Sequence, residues 1–211
     1  MLKTTDMQAT NIERTRKPGV AAWITSRYTR QGLWSLFLMC AFPLHAWTLI
    51  LAFRDISWLT DRTNAWDAVG VVSYGLVFAF VESLVLWAVA LLLGYLVARA
   101  WDPERRVALL TVLTLVLSLW AMLDQLYFLV GTGFPGWLIG LLVKSGHPLW
   151  IIYGSLLGLV GASVLVPTWL VLRSERANKW VHALIDRLSV LTAFYLVLDA
   201  IGLLIVIARN V

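Results

Sequence analysis

The sequence has only one cysteine and few charged residues. Because Cys40 has no second cysteine to pair with, an internal disulfide and a thiolate metal cluster are excluded. Charged residues make up 14% of the chain, whereas about 25% is usual in soluble domains. Hydrophobic residues make up 60%, and the mean hydropathy is +0.80. This composition predicts a membrane protein with several spans.

The sequence also lacks catalytic motifs and long polar connections. It contains no P-loop lysine motif, no GxSxG and no HExxH. It shows no inverted repeat of the kind that indicates a secondary transporter. No connection between apolar runs reaches the roughly 50 residues that a folded soluble domain needs. These absences favour a non-enzymatic role, and they predict neither a cofactor nor a metal site.

Five apolar runs are long enough to cross a membrane. A span needs roughly 20 apolar residues to cross about 30 Å of hydrocarbon. The predicted spans cover residues 32–53, 68–98, 107–130, 149–172 and 189–208. We therefore predict an all-α, polytopic membrane bundle over residues 32–211, preceded by a basic segment over residues 1–31.

Short segments outside the spans have the pattern of interfacial helices. Residues 173–188 are charged but carry an apolar stripe along one side, which is typical of a helix lying at the membrane surface. The stripe consists of Ala177, Val181, Leu184 and Leu188. The apolar residues 137–143 are too few to span, so they predict either a re-entrant segment or a loop at the surface.

The basic residues are distributed unevenly between the two sides of the predicted bundle. Thirteen of the 17 Lys and Arg precede the first span or lie in the second and fourth connections. The other four are Arg54, Arg62, Lys144 and Arg209. By the positive-inside rule, the N-terminus is predicted to be cytoplasmic and the C-terminus external. We expect the chain in the plasma or inner membrane of the cell.

Four ionisable residues lie inside the predicted spans. They are His45, Glu82, Asp124 and Asp199. A carboxyl group in hydrocarbon costs about 2.5 kcal/mol or more, so it normally faces other helices or a cavity. Counting about 1.5 Å per residue places the first three in the outer half of the membrane and the fourth near its midplane.

These polar residues have two interpretations. If the first three face one another, they predict a proton or cation site, because neighbouring carboxylates in a low dielectric do not both stay ionised. Lys144 and His147, in the connection outside them, would then form an outer lid. The other interpretation is that each residue only joins helices through hydrogen bonds, which contribute about 0.6 kcal/mol each.

The fourth span carries small residues at every fourth position. They are Gly154, Gly158 and Ala162. Small residues at this spacing let two helix backbones approach closely. The pattern predicts helix packing and not chemistry.

Three functions are open at this point. The favoured one is a non-catalytic membrane module that packs against another membrane protein or a second copy, without nucleic acid. The second is a small proton- or cation-coupled transporter or channel that uses the outer acids. The third is the membrane part of an enzyme system acting on lipid-linked substrates at the outer face. Five spans with this orientation are similar in number to the membrane portion of lipoteichoic-acid-synthase-like and phosphoethanolamine-transferase-like enzymes, a similarity of topology without a shared motif.

Overall fold

The structure, a computed structural model, describes residues 27–211 except 56, 58–60, 97–100, 132 and 134. Most of the predicted basic segment 1–31 and the end of the predicted span 68–98 lie outside the described residues. Among those residues the chain is helical and contains no strand. The helices are α1 Arg30–Arg54, α2 Ala65–Leu96, α3 Pro103–Val130, α4 Gly136–Lys144, α5 Pro148–Arg173 and α6 Glu175–Asn210.

Five of these helices are long and apolar enough to cross a membrane. They are α1, α2, α3, α5 and α6, whose most apolar windows have hydropathies between 2.0 and 2.5. The prediction of an all-helical fold with five apolar helices is confirmed. This architecture is compatible with an integral membrane protein.

Helix α1 is the central helix of the bundle. It begins at the Thr29 cap, where the Thr29 hydroxyl accepts a hydrogen bond from the Gly32 amide at 2.9 Å. Every residue from Leu36 to Ala41 is buried. A helix that is apolar and buried on all sides must be surrounded by other helices, and α1 packs against α2, α3 and α6.

Helices α1 and α2 are antiparallel. Near the start of α1, the Arg27 guanidinium donates a hydrogen bond at 2.9 Å to the carbonyl of Tyr95, near the end of α2. Towards the other end of α1, the Thr48 methyl group lies 3.3 Å from the Cβ position of Gly75. The two helices therefore stay in contact over most of their length.

Helices α2 and α6 are also antiparallel, so α6 runs parallel to α1. A Cβ atom added to Gly202 would lie 3.4 Å from the carbonyl oxygen of Ser73, which shows a close backbone approach. Farther along, Arg209 at the end of α6 forms an ion pair with Asp67 at the start of α2, with Nη2 and Oδ1 2.6 Å apart. This pair joins the two helices at the end of the bundle that the charge distribution predicts to be external.

Helices α4 and α5 lie at the edge of the bundle. The Trp120 indole of α3 donates a hydrogen bond at 2.8 Å to the Ser163 hydroxyl of α5. Most of the remaining α5 surface is exposed, and Val171 is its one buried residue. Helix α4 contains the apolar residues 137–143 and buries Leu142 alone. The edge position leaves one broad face of α5 uncovered by the described residues.

The last helix differs from the sequence prediction. The sequence predicts a surface helix over residues 173–188 followed by a separate span, but α6 is continuous over 36 residues. Its N-cap is Ser174, whose hydroxyl accepts a hydrogen bond from the Ala177 amide at 3.3 Å. No glycine or proline occurs between residues 175 and 201, so nothing in the local sequence interrupts the helix.

Candidate functional site

His45 of α1 and Asp199 of α6 form a hydrogen-bonded pair inside the bundle. His45 is fully buried, and Asp199 is 7% exposed. The imidazole Nε2 lies 2.8 Å from Oδ2 and 3.0 Å from Oδ1 of Asp199. The other ring nitrogen, Nδ1, lies 2.8 Å from the carbonyl oxygen of Ala41. Both nitrogens of the imidazole therefore have partners.

The hydrogen bonds of His45 determine how many protons the pair holds. A carbonyl oxygen can only accept, so Nδ1 of His45 carries a hydrogen. Nε2 and the Asp199 oxygen must share one more proton, because two bare lone pairs at this distance would repel. Whichever atom carries that proton, the pair has no net charge. A neutral, hydrogen-bonded pair avoids the large cost of an isolated buried ion.

Sequence position explains the placement of Asp199. One face of α6 carries polar and small residues at helical spacing, and three of them are buried in the bundle: Thr192, Asp199 and Gly202. The ring of Tyr195, on the same face, stacks on His45 with a centroid distance of 6.1 Å. This stripe is thus the face that α6 turns towards α1 and α2.

His45 lies two residues after Pro43, inside helix α1. Pro43 has no amide hydrogen, so the carbonyl of Met39 loses its helical partner. The ring of His45 binds not this freed carbonyl but the carbonyl of Ala41, one turn before His45. That bond aims the other side of the ring at α6.

Glu82 lies on the exposed surface of α2, not in the interior. The buried side of α2 is formed largely by small residues, among them Ala79, Ser83, Ala90 and Gly94. Glu82 is rotated away from this stripe and is exposed. Within the described residues it has no hydrogen bond or ion pair. The structure therefore does not bring Glu82 to His45. The predicted proton or cation site would need these two residues to face each other.

The surroundings of Glu82 are apolar. It lies 17 residues after Ala65 and 14 residues before Leu96, or about 26 Å and about 21 Å from the two ends of α2. The exposed residues on either side of it are large and hydrophobic: Phe78, Val81, Val85 and Val89. We call these four residues together with Glu82 the Glu82 surface. A carboxyl group thus lies at mid-height on an otherwise hydrophobic face.

The other predicted site residues lie towards one end of the bundle. Asp124 is exposed, six residues before the end of α3. Lys144, at the end of α4, and His147, before α5, are exposed as well. No hydrogen bond or ion pair joins them to His45 or Asp199 in the described part of the chain. Of the four predicted intramembrane residues, the structure pairs two.

The small residues of α5 face outwards. Gly154, Gly158 and Ala162 are exposed. A Cβ atom added to either glycine would have no heavy atom within 4 Å, beyond its own helix backbone and chain neighbours. Among the described residues the stripe therefore packs against no other helix.

Neither a metal site nor a similar protein of known function points to one site in the described part of this chain, so a small set of candidate sites is left. No group of three His, Cys, Asp or Glu among the described residues could hold a metal ion. No known protein family, curated protein or solved structure matches this chain. The candidates for function are therefore the buried pair of His45 and Asp199, the Glu82 surface, and the open stripe of α5.

Proposed function

We propose that this chain is a non-catalytic module of the plasma or inner membrane that assembles with a transmembrane helix of another protein through the Glu82 surface. Its N-terminus is cytoplasmic and its C-terminus external, following the charge distribution. The single observation that carries this proposal is the exposure of Glu82 at mid-height on α2.

The energetic cost of Glu82 supports assembly. A carboxyl group facing lipid at the centre of a bilayer costs about 2.5 kcal/mol or more, and such groups almost always face protein or a water-filled cavity. Charged side chains near the ends of a span can extend to the interface, but Glu82 is about 21 Å or more from either end of its helix. A partner helix that covers Glu82 removes this cost. An interhelical hydrogen bond adds about 0.6 kcal/mol on average.

The chemistry of Glu82 also defines the partner. A suitable helix carries Lys, Arg, His or another hydrogen-bond donor at mid-height, because a carboxylate only accepts hydrogen bonds. In the described residues, the Lys and Arg of this chain lie near helix ends or on the first half of α6. A second copy related by a two-fold axis would place Glu82 against Glu82, and we expect a different protein.

Site-specific photocrosslinking tests this proposal in native membranes. A benzophenone amino acid is placed at Val85 on the Glu82 surface and, as a matched control, at Leu204 on the exposed side of α6. We expect a crosslinked product with a discrete second protein from position 85 and none from position 204. The product should disappear in Glu82→Leu. The proposal is contradicted if position 85 gives no product, or if Glu82→Leu leaves the product unchanged.

A second candidate function rests on the buried pair. Because His45 and Asp199 share a proton, they form a proton-binding group inside an apolar bundle. A proton-coupled transporter would use this pair and not Glu82 or Asp124. If this second function applies, Asp199→Asn abolishes a pH-dependent flux in liposomes while Asp124→Asn does not. Equal flux in both variants, or none in the wild type, rejects it.

A further inference from the structure

A polar pocket lies between the start of α3 and the first half of α6. Its volume is about 530 Å³, and it is formed by residues within 102–105 and along one side of residues 175–186. The apolar runs of these two helices begin at residues 107 and 189. Counting about 1.5 Å per residue places Arg105 about 3 Å and Asp186 about 4.5 Å outside those runs. This end of the pocket therefore lies at the height of the lipid headgroups.

Charged side chains of both signs line the polar pocket but do not pair with one another. Four of them are carboxylates: Asp102, Glu104, Glu175 and Asp186. The two cations are Arg105 and Lys179. Among the described residues, no ion pair involves any of these six side chains. Both the acids and the bases are therefore available to a ligand.

Two further polar atoms at the pocket have no hydrogen-bond partner in the described part of the chain. They are Oδ1 of Asn178 and Nε2 of His182, and both atoms are buried. The two residues lie one turn apart on α6 and line the same wall of the pocket. Buried polar atoms nearly always have a partner, so these two point to a polar molecule that the chain itself does not supply.

The arrangement of the charges restricts the chemistry of that molecule. No three of the His, Asp and Glu side chains in the described ranges lie close enough together to hold a metal ion. A purely anionic ligand would be repelled by the four carboxylates, and a purely cationic ligand by Arg105 and Lys179. A ligand with both signs of charge meets a partner for each. Arginine suits a phosphate, whose oxygens match its planar fork, and carboxylates accept hydrogen bonds from an ammonium group.

We propose that the polar pocket binds the headgroup of an aminophospholipid, a phosphate ester that carries a primary ammonium group. The phosphate binds Arg105, and the ammonium group donates hydrogen bonds to Asp186. Both residues lie at the end of the pocket nearest the apolar runs, so the acyl chains of the lipid stay in the bilayer. A trimethylammonium group has no N–H to donate, so the site distinguishes phosphatidylethanolamine from phosphatidylcholine. This site is independent of the Glu82 surface.

Native mass spectrometry of the purified full chain tests the proposal. The chain in detergent is mixed with equal amounts of phosphatidylethanolamine, phosphatidylcholine and phosphatidylglycerol that have the same acyl chains. We expect several-fold more phosphatidylethanolamine to be retained than either other lipid, because it alone carries both a phosphate and a primary ammonium group. Equal retention of phosphatidylethanolamine and phosphatidylcholine overturns the proposal. Stronger retention of phosphatidylglycerol would mean a site for anions and would overturn it as well.

Three variants and a soluble headgroup sharpen this test. Asp186→Asn and Arg105→Gln should each lower the retention of phosphatidylethanolamine several-fold. The control Asp61→Asn removes an exposed carboxyl from the opposite end of the bundle and should leave retention unchanged. Unchanged retention in either pocket variant contradicts the proposal. Glycerophosphoethanolamine, which has the headgroup without acyl chains, should not displace the lipid at equal concentration. Displacement would overturn the lipid as the source of the headgroup.

Discussion

At the scale of single residues, the polar groups of the spans fall into two environments. His45 and Asp199 are buried and satisfy each other, while Glu82 and Asp124 are exposed. The sequence locates all four along the helix axes but does not determine which way each helix is rotated. The useful signal was the stripe on α6, because its polar and small residues marked the face that becomes buried. The stripe of small residues on α2 gives the same information, since Glu82 lies off it.

The buried pair should be sensitive to the loss of one partner. Removing one member of the pair leaves a buried polar atom of the other without a hydrogen-bond partner, which costs about 1–3 kcal/mol. We therefore expect Asp199→Ala to lower the free energy of unfolding by that amount in mixed micelles. His147→Ala removes an exposed histidine and serves as the control, with little change expected. A double variant with Leu at positions 45 and 199 should recover much of the loss. If Asp199→Ala unfolds like the wild type, the pair does not stabilise the bundle.

Glu82 should have the opposite effect on the isolated protein. Replacing an exposed mid-span carboxyl with leucine removes a cost of about 2.5 kcal/mol or more. We expect Glu82→Leu to raise the free energy of unfolding of the purified chain in lipid vesicles. Asp124→Leu, nearer a helix end, should raise it less, because Asp124 is closer to the polar interface. A fall in stability in Glu82→Leu would show that Glu82 makes contacts within its own chain.

At the scale of helices, long apolar runs made the number of spans predictable. The ends of α1, α3 and α5 lie within a few residues of the predicted spans 32–53, 107–130 and 149–172. The continuous α6 was missed because a charged amphipathic segment and an apolar span have different compositions. Helix continuity depends on the backbone, however, and composition alone does not interrupt it. The packing of each helix was less predictable, since Gly154 and Gly158 suit contact but lie exposed.

Two glycines should respond in opposite directions to the same substitution. The Tyr28 hydroxyl occupies the place where a Cβ of Gly94 would be, so Gly94→Ala displaces it and should lower stability. Gly158 has open space around its Cβ position, and alanine favours a helix over glycine by about 0.8–1.0 kcal/mol. Gly158→Ala should therefore raise the stability of the isolated chain. Unfolding of the two variants in mixed micelles checks this. Equal effects would contradict the packing described for α2.

At the scale of the whole molecule, the bundle is built around α1 and leaves the Glu82 surface and the small residues of α5 exposed. The parallel pair α1 and α6 is joined by His45 and Asp199, and α2 is antiparallel to both. Helix α5 lies at the edge. The proposed orientation in the membrane depends on charge distribution, since thirteen basic residues lie on one predicted side. An enzyme system acting on lipid-linked substrates stays a prediction from topology.

Cysteine labelling tests the orientation. His147 and Arg176 are both exposed. His147 directly precedes α5, and Arg176 lies just after its other end, in the first turn of α6. In whole cells, a membrane-impermeant maleimide should label His147→Cys directly and Arg176→Cys only after permeabilisation. The native Cys40 is buried and should remain unlabelled. The reverse pattern at the two introduced positions would contradict the proposed orientation.

In the proposed assembly, a helix of another protein covers Glu82 in the membrane. The most direct test is the native size of the assembly after mild extraction, compared between the wild type, Glu82→Leu and the control Val190→Leu, a change at an exposed residue of α6. The chain alone has a mass of 23.7 kDa. We predict that the wild type and the control migrate as particles well above the size of one chain with its bound detergent. Glu82→Leu should migrate as the single chain. Identical migration of all three proteins would contradict the proposed assembly.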